Sequence, residues 1–309
     1  MIRFVRMLVF AALLSLANPC FALATDVQHL GDHVSVLIGT SCNVLILPGD
    51  GGVLIVDDQR GRDVEETRAA VRAVSDLPVR YVVNTHWHLD HSGGNAAFAA
   101  SGATIVAQRN ILLRRSAEQY MAAYKQHIPA DKPAALPVIV FGDRLELRVG
   151  PEMVELRHVS NAHTDGDTLV HFPKANVIAM GDVYFNHIFP FIDRSSGGSV
   201  QGMIRGVNVA LAMADDTSRI VPAHGPVATR AELVAYRDML QDVASRVRSQ
   251  MREGQTLAQI VSSHPAAAYR DGMEGEEDRF IEAVYDSLRD EDLHHRVRRH
   301  NSAGVRRRA

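Results

Sequence analysis

Short apolar runs separated by polar, glycine-bearing breaks fill the first two thirds of the chain. The runs at 33–38, 43–47 and 52–56 are rich in Val, Ile and Leu and predict three strands. Pro48-Gly49-Asp50-Gly51 is the turn between the last two. It is not a phosphate loop, because no Gly-Lys-Ser/Thr follows and no helix opens there. Residues 62–75 place Val64, Ala70, Val71 and Val74 on one side of a helix, and 79–83 then predicts a buried strand. Ala96, Ala97, Ala99 and Ala100 suggest a helix packed closely on a sheet, 103–106 a short strand, and 109–126 a helix. Pro129, Pro133 and Pro137 make the next stretch a loop. Runs at 138–141, 145–147, 154–156, 169–172 and 177–180 return to strands, several alternating as if one face is buried and one wet. After a polar segment at 193–199, expected to be a flexible loop, come a helix at 203–213 and a strand at 218–222. A long amphipathic helix follows at 230–251, with further helices at 257–263 and 279–290.

The organisation expected from this pattern is a main domain over 25–229 and a helical extension over 230–293. No repeated unit is present. Residues 1–24 have the three parts of a secretory signal: Arg3 and Arg6, an apolar run at 7–16, and Ala22-Leu23-Ala24 before a cleavage point at Thr25. The apolar run is short for a spanning helix, so no stable membrane span is expected after its removal. The expected address is the periplasm or outside the cell. Residues 294–309 carry six arginines and no acid, and a solvated, unstructured terminus is the expectation. A net charge of -3 over 309 residues supplies no global field for nucleic acid. Of two cysteines, Cys20 goes with the leader, and Cys42 alone makes neither a disulfide framework nor a cysteine-rich zinc module. Cys42 is expected to be an inert residue at a strand start.

Fifteen histidines are many for this length, and their placement changes the picture. His86-Trp87-His88-Leu89-Asp90-His91 follows the strand at 79–83 and is closed by Ser92-Gly93-Gly94. His86 and His88 alternate, so in an extended segment both imidazoles reach one cation, while Asp90 and His91 are placed for a second beside it. Three further residues sit just past apolar strands: His163 in Asn161-Ala162-His163-Thr164-Asp165, Asp182 in Met180-Gly181-Asp182-Val183, and His224 in Pro222-Ala223-His224-Gly225. A rigid sheet can aim such ligands at one point.

The His-x-His-x-Asp-His block, the later His163, Gly181-Asp182 and His224 resemble, in that order and over about residues 33–228, the metallo-β-lactamase superfamily. That resemblance implies an α+β fold, an αββα sandwich with two sheets face to face, helices outside and metals at one edge. It implies His86, His88 and His163 on a first metal, Asp90, His91 and His224 on a second, and Asp182 bridging. An aspartate at the bridge is similar to the glyoxalase II, lactonase and phosphodiesterase branches. Phe185 stands where the dizinc β-lactamases carry a lysine, so a drug carboxylate would have to meet another cation. The glutathione contacts of a glyoxalase II do not map onto the helical tail.

Nitrogen and oxygen donors without a thiolate suit two Zn²⁺ ions per chain, and are also compatible with Fe or Mn. Two ions roughly 3.5–4 Å apart would share a water, lower its pKa and polarise an acyl carbonyl. The expected activity is therefore a dinuclear hydrolase acting on a small-molecule ester, thioester, lactone or cyclic amide, β-lactams among them. Asp90 is expected to orient the attacking water as well as ligate. His187 is a candidate proton donor or oxyanion contact. Trp87, Tyr184, Phe185, His187, Phe189 and Phe191 are candidates for an apolar rim, and Asp57 and Asp167 for acceptors behind the histidines. The rival from another class is a mononuclear non-haem iron oxidoreductase of the persulfide dioxygenase type, which the intact second ligand set disfavours. A phosphodiesterase, which uses the same ions, lacks a basic groove signal here, and a non-catalytic exported metal-binding protein is the remaining reading.

Overall fold

A computed structural model describes residues 26–305, with side chains described to 293; the leader expected at 1–24 lies outside the described residues. In chain order the elements begin with β1 (Val27–His29), β2 (Ser35–Leu37), β3 (Val44–Gly49), β4 (Gly52–Val56), α1 (Val64–Val74) and β5 (Val79–Asn84). The motif segment carries a single helical turn, α2 (Leu89–Ser92), then α3 (Asn95–Ala100), β6 (Thr104–Gln108) and α4 (Arg109–Arg115). A small hairpin, β7 (Gln119–Met121) and β8 (Gln126–Ile128), precedes β9 (Ile139–Phe141), β10 (Arg144–Val149), β11 (Glu152–His158), β12 (Thr168–Phe172) and β13 (Val177–Ala179). The remainder is α5 (Val200–Met213), β14 (Arg219–Val221), β15 (Ala228–Thr229), α6 (Arg230–Arg252), α7 (Leu257–Ser262) and α8 (Glu277–Val305).

Apart from the β7–β8 hairpin, the described strands form two sheets, ordered β1-β2-β3-β4-β5-β6-β9 and β10-β11-β12-β13-β14-β15. Alternate residues explain the layering. In β3, Leu45 and Leu47 face the second sheet and pack with Val154, Leu156, Val170 and Phe172. Their neighbours Val44 and Ile46 face the other way, against Val64 and Val71 of α1 and Phe98 of α3. A strand buried on both faces reads as a continuous apolar run, which is why β3 and β4 show no alternation. Outside the second sheet, Leu169, Ile178 and Ile220 share a cluster with Val207 of α5, Leu240 and Val243 of α6, and Phe280 and Val284 of α8. The molecule is thus an αββα sandwich.

Three expectations need correction. The stretch 109–126 is not one helix: α4 stops at Arg115 and the chain turns into the β7–β8 hairpin, with Lys125 left-handed at φ 51°. The helical extension expected beyond 230 is present, and its α6 and α8 share the cluster under the second sheet. The segment 193–199 is a capped turn, in which the Asp193 side chain accepts from the Ser196 N–H and Arg194 pairs with Asp290 of α8. Finally, α8 spans Glu277–Val305, longer than the helix expected over 279–290. Residues 291–303 contain neither proline nor glycine to stop a helix. Among the described residues no helix is long and apolar enough to cross a membrane.

Candidate metal centre

Strand ends and the short connections after them deliver the polar residues to one edge of the sandwich. After β5 the chain bends through Thr85 to His88, and α2 then raises Asp90 and His91 on one turn. His163 lies between β11 and β12, Asp182 just past β13, and His224 just past β14. Gly181 is left-handed at φ 52°, and a Cβ there would lie 2.8 Å from the Thr85 side chain, so the Asp182 turn can close on the motif segment only with glycine.

The side chains converge as two groups sharing one carboxylate. One donor atom each from His86, His88, His163 and Asp182 lies within 4.8 Å of the others, and so does one each from Asp90, His91 and His224. Asp182 Oδ2 faces His163 Nε2 at 3.4 Å and His86 Nε2 at 3.8 Å. Its other oxygen, Oδ1, faces His91 Nε2 and His224 Nε2, both at 3.4 Å. Asp90 Oδ2 completes the second group, 3.8 Å from His91 Nε2 and 3.7 Å from His224 Nε2. The structure brings together all seven residues expected as ligands.

The outer ring nitrogens are already committed. His88 Nε2 donates to Asp193 Oδ2 at 3.0 Å, His91 Nδ1 to Asp57 Oδ2 at 2.9 Å, and His163 Nδ1 to the Phe191 carbonyl at 2.7 Å. His86 Nδ1 donates to Thr85 Oγ1 at 3.3 Å, whose own proton goes to Asp57 Oδ2 at 2.8 Å. Each imidazole therefore turns a lone pair inward. His88 Nδ1 and His163 Nε2 stand 3.0 Å apart with their ring protons spent elsewhere, an arrangement that repels unless a cation lies near both. His86 Nε2, His91 Nε2 and Asp182 Oδ1 are buried without any hydrogen-bond partner. Buried polar atoms left unpaired are costly, and a cation in each group would satisfy them. The donor set fits metal ions.

The electrostatics agree. Burial, followed by the neighbouring imidazoles, holds His86 well below its ordinary pKa. Burial likewise lowers His163 to about 4, against the pull of Asp182. Both are neutral ligands at physiological pH. Burial opposes ionisation of Asp90, but His91, His88, His224 and Arg60 outweigh it and bring its pKa to about 2. His91 goes the other way: burial pulls it down, yet Asp182, Cys42, Asp57 and Asp90 raise it well above the usual value. These carboxylates thus favour a second proton on the His91 ring, which a metal at Nε2 would have to displace. Loading the second group is expected to release protons, more of them as the pH is lowered, and its affinity to climb with pH. Calorimetry in two buffers of different ionisation enthalpy measures this. A proton count of zero at every pH would mean that His91 carries no second proton for the metal to displace.

Beside the two groups lies a cavity of about 450 Å³. Phe185, Phe189, Phe191, Ile188, Leu89 and Pro190 line it, with Met121, Tyr124 and Ile128 from the β7–β8 region, Gly275 and Glu276 just before α8, and Arg279 in its first turn. Arg60 reaches it 3.9 Å from Asp90, and Arg279 lies 4.8 Å over the Tyr124 ring. Of the expected rim, Phe185, Phe189 and Phe191 are present. Trp87 and Tyr184 are core residues, each 1 % exposed, and Trp87 donates its Nε1 to Ser196 Oγ. His187 is exposed and outside the cavity lining, at a left-handed turn with φ 61°. That turn directs Phe185 and Ile188 inward and leaves His187 out of the cavity. Asp57 takes the expected place behind His91, whereas Asp167 accepts from Thr164 rather than from a ligand histidine. Cys42 is buried against His91 and Asp57, closer to the centre than its sequence position suggests, and burial pushes its thiol up to about 12, which keeps it protonated. Asp193, Thr85, Arg60, Tyr124 and Arg279 had no signal in motif spacing, because segments distant in the chain bring them in.

The sequence model described as the metallo-beta-lactamase superfamily matches residues 37–224. Among curated proteins, the alpha subunit of 2,4-dinitroanisole O-demethylase from Nocardioides sp. (strain JS1661) is 30% identical over 146 residues, 46% of this chain and 40% of that protein. The linear primary-alkylsulfatase of Pseudomonas sp. (strain ATCC 19151) is 25% identical over 252 residues, 68% of this chain and 47% of that one. The chain thus spans less than half the length of these relatives. Among solved structures, a metallo-beta-lactamase from Pontibacter korlensis matches with a TM-score of 0.58 at 18% identity, covering 71% of this chain and 99% of its own. With the family match running from the end of β2 to His224, and the sandwich and ligand groups in their expected places, this chain belongs to the metallo-β-lactamase superfamily.

Proposed function

We propose that this protein is a dinuclear metal-dependent hydrolase, using two zinc ions, of a small ester, thioester, lactone or cyclic amide with an apolar body. The observation that carries this reading is Asp182, whose two oxygens face two separate histidine groups. His86, His88, His163 and Asp182 would hold one ion, and Asp90, His91, His224 and Asp182 the other. Bound there, such ions supply Lewis acidity for the scissile carbonyl and an activated water. The chain's residues do the rest. Asp90, ionised and one fifth exposed toward the cavity, accepts a hydrogen bond from the attacking water and aims it. Phe185 stacks on His224 with ring centres 5.7 Å apart and shields that ligand from bulk water. Phe189 and Phe191 bind the apolar part of the substrate. Phe191→Ala is expected to raise KM about tenfold with a smaller change in kcat, by removing apolar contact of ~1.5 kcal/mol. Steady-state kinetics on one good substrate check it.

A second reading is hydrolysis of a sulfate ester. The likeness to the linear primary-alkylsulfatase extends over more of the chain than the family match does, and Arg60 and Arg279 stand in an otherwise apolar cavity. A panel of ester, thioester, lactone, β-lactam, alkyl sulfate and phosphodiester substrates, run with metal analysis, separates the readings. Turnover of acyl substrates supports the first and sulfate release the second. One iron per chain with oxygen consumption would overturn both.

A further inference from the structure

We propose that Asp193 is a positioning residue of the metal centre: it fixes the ring tautomer of His88, and α8 holds it in place. The role presupposes the two-ion reading above and adds a residue outside the ligand motifs. Asp193 is 1 % exposed and every contact it makes is directional. Its Oδ2 accepts from His88 Nε2 at 3.0 Å and from Ser196 Oγ at 2.5 Å. Its Oδ1 accepts from the Ser196 N–H at 3.2 Å and from Ser195 Oγ. A carboxylate can only accept, so His88 must carry its proton on Nε2 and present Nδ1 inward, toward His163 Nε2 at 3.0 Å.

The turn that carries Asp193 is gripped from the C-terminal helix. Arg194 Nη2 pairs with Asp290 Oδ2 at 2.5 Å, and Ser287 Oγ accepts from the Val200 N–H at 3.2 Å. On its other side, the Asp193 N–H donates to the His163 carbonyl at 3.0 Å, so the same residue ties two ligand segments together. Through these contacts α8, which follows the last ligand by more than fifty residues, becomes part of the support of the first metal group. Asp57 is the counterpart for the second group, accepting from His91 Nδ1 at 2.9 Å and from the Thr85 N–H at 2.7 Å.

Replacement by asparagine tests tautomer control directly. The Ser196 N–H can only donate, so in Asp193→Asn the amide oxygen would stay there and the NH₂ would turn to His88 Nε2. His88 would then carry its proton on Nδ1, where the metal must bind. Alanine instead leaves the ring free to choose. Metal affinity of the metal-stripped full chain, titrated with Zn²⁺ against a chromophoric chelator, is therefore expected to fall about tenfold in Asp193→Ala and about a hundredfold in Asp193→Asn. Both losses should fall on the first ion. Asp57→Asn should weaken the second ion most, since it reaches the first group only through Thr85 and His86, and Asp290→Ala should weaken the first about threefold. Imidazole ¹⁵N spectra of the metal-free protein should show His88 protonated on Nε2 in the wild type and on Nδ1 in Asp193→Asn.

A merely structural role predicts the reverse order, with the isosteric asparagine milder than alanine and loss of thermal stability in place of affinity. That order, or an unchanged His88 tautomer, would overturn the assignment, and an unaltered affinity in Asp290→Ala would remove α8 from it. Circular dichroism of each variant separates misfolding from loss of affinity. A wild type that binds no Zn²⁺ would sink the two-ion reading itself, whereas wild-type binding with an unchanged Asp193→Asn sinks only the role of Asp193.

Discussion

Asp182→Ala is expected to lower kcat/KM by ~10³-fold or more, equivalent to ~4 kcal/mol of transition-state stabilisation. The residue has no substitute in the site. Its two oxygens lie 3.4 Å from His163 and 3.8 Å from His86 on one side and 3.4 Å from His91 and His224 on the other, so its loss leaves four imidazoles facing each other without this carboxylate between them. Like-charge and lone-pair repulsion among buried rings then opposes metal loading at both groups. Metal content should fall below one ion per chain along with activity. Asp182→Asn should retain more metal than alanine, since its oxygen can still serve one group. Full activity in Asp182→Ala would remove the shared carboxylate from the account.

Gly202→Ala is expected to destabilise the protein by about 3 kcal/mol, or on the order of 5–10 °C in Tm. The first turn of α5 lies directly on the backbone that carries His163. A Cβ at Gly202 would sit 1.6 Å from the Asn161 carbonyl oxygen and 2.7 Å from the Ala162 nitrogen. Ser199, the cap of that helix, donates its hydroxyl to the Asn161 carbonyl at 2.7 Å and its N–H to the Ala162 carbonyl at 2.8 Å, so neither side can retreat alone. Displacing 161–163 also moves His163, and affinity for the first ion should fall with stability. Gly142→Ala, whose Cβ would meet nothing within 4 Å, is the matched control and should change Tm by little. Thermal melts of the two variants read the difference.

The ligands were legible in the sequence because metal chemistry restricts both residue type and spacing. His86, His88, Asp90 and His91 fall within six positions, and His163, Asp182 and His224 each follow an apolar strand. The sandwich was legible through its strands, since runs such as 43–47 and 52–56 must be apolar on both faces to lie between a helix layer and another sheet. What failed was anything decided by contacts between distant segments. Asp-Arg-Ser-Ser-Gly-Gly at 193–198 has the composition of a flexible loop, and only the pairing of Arg194 with α8 and of Asp193 with His88 makes it rigid. The helix expected over 109–126 has adequate propensity, yet its second half becomes the hairpin whose Met121, Tyr124 and Ile128 wall the cavity. Weak local preference yields to tertiary packing there. His187 lies outside the cavity for a local reason: a left-handed turn two residues after Phe185 reverses which side chains face the site.

The shared carboxylate between two histidine groups is the centre of the account, and counting metal ions tests it most directly. Metal analysis of the purified full chain, paired with the hydrolysis panel, should return two ions per chain and turnover that is lost on chelation and restored by Zn²⁺. A single iron per chain, with oxygen consumed and no ester, lactone, thioester or sulfate ester cleaved, would contradict it.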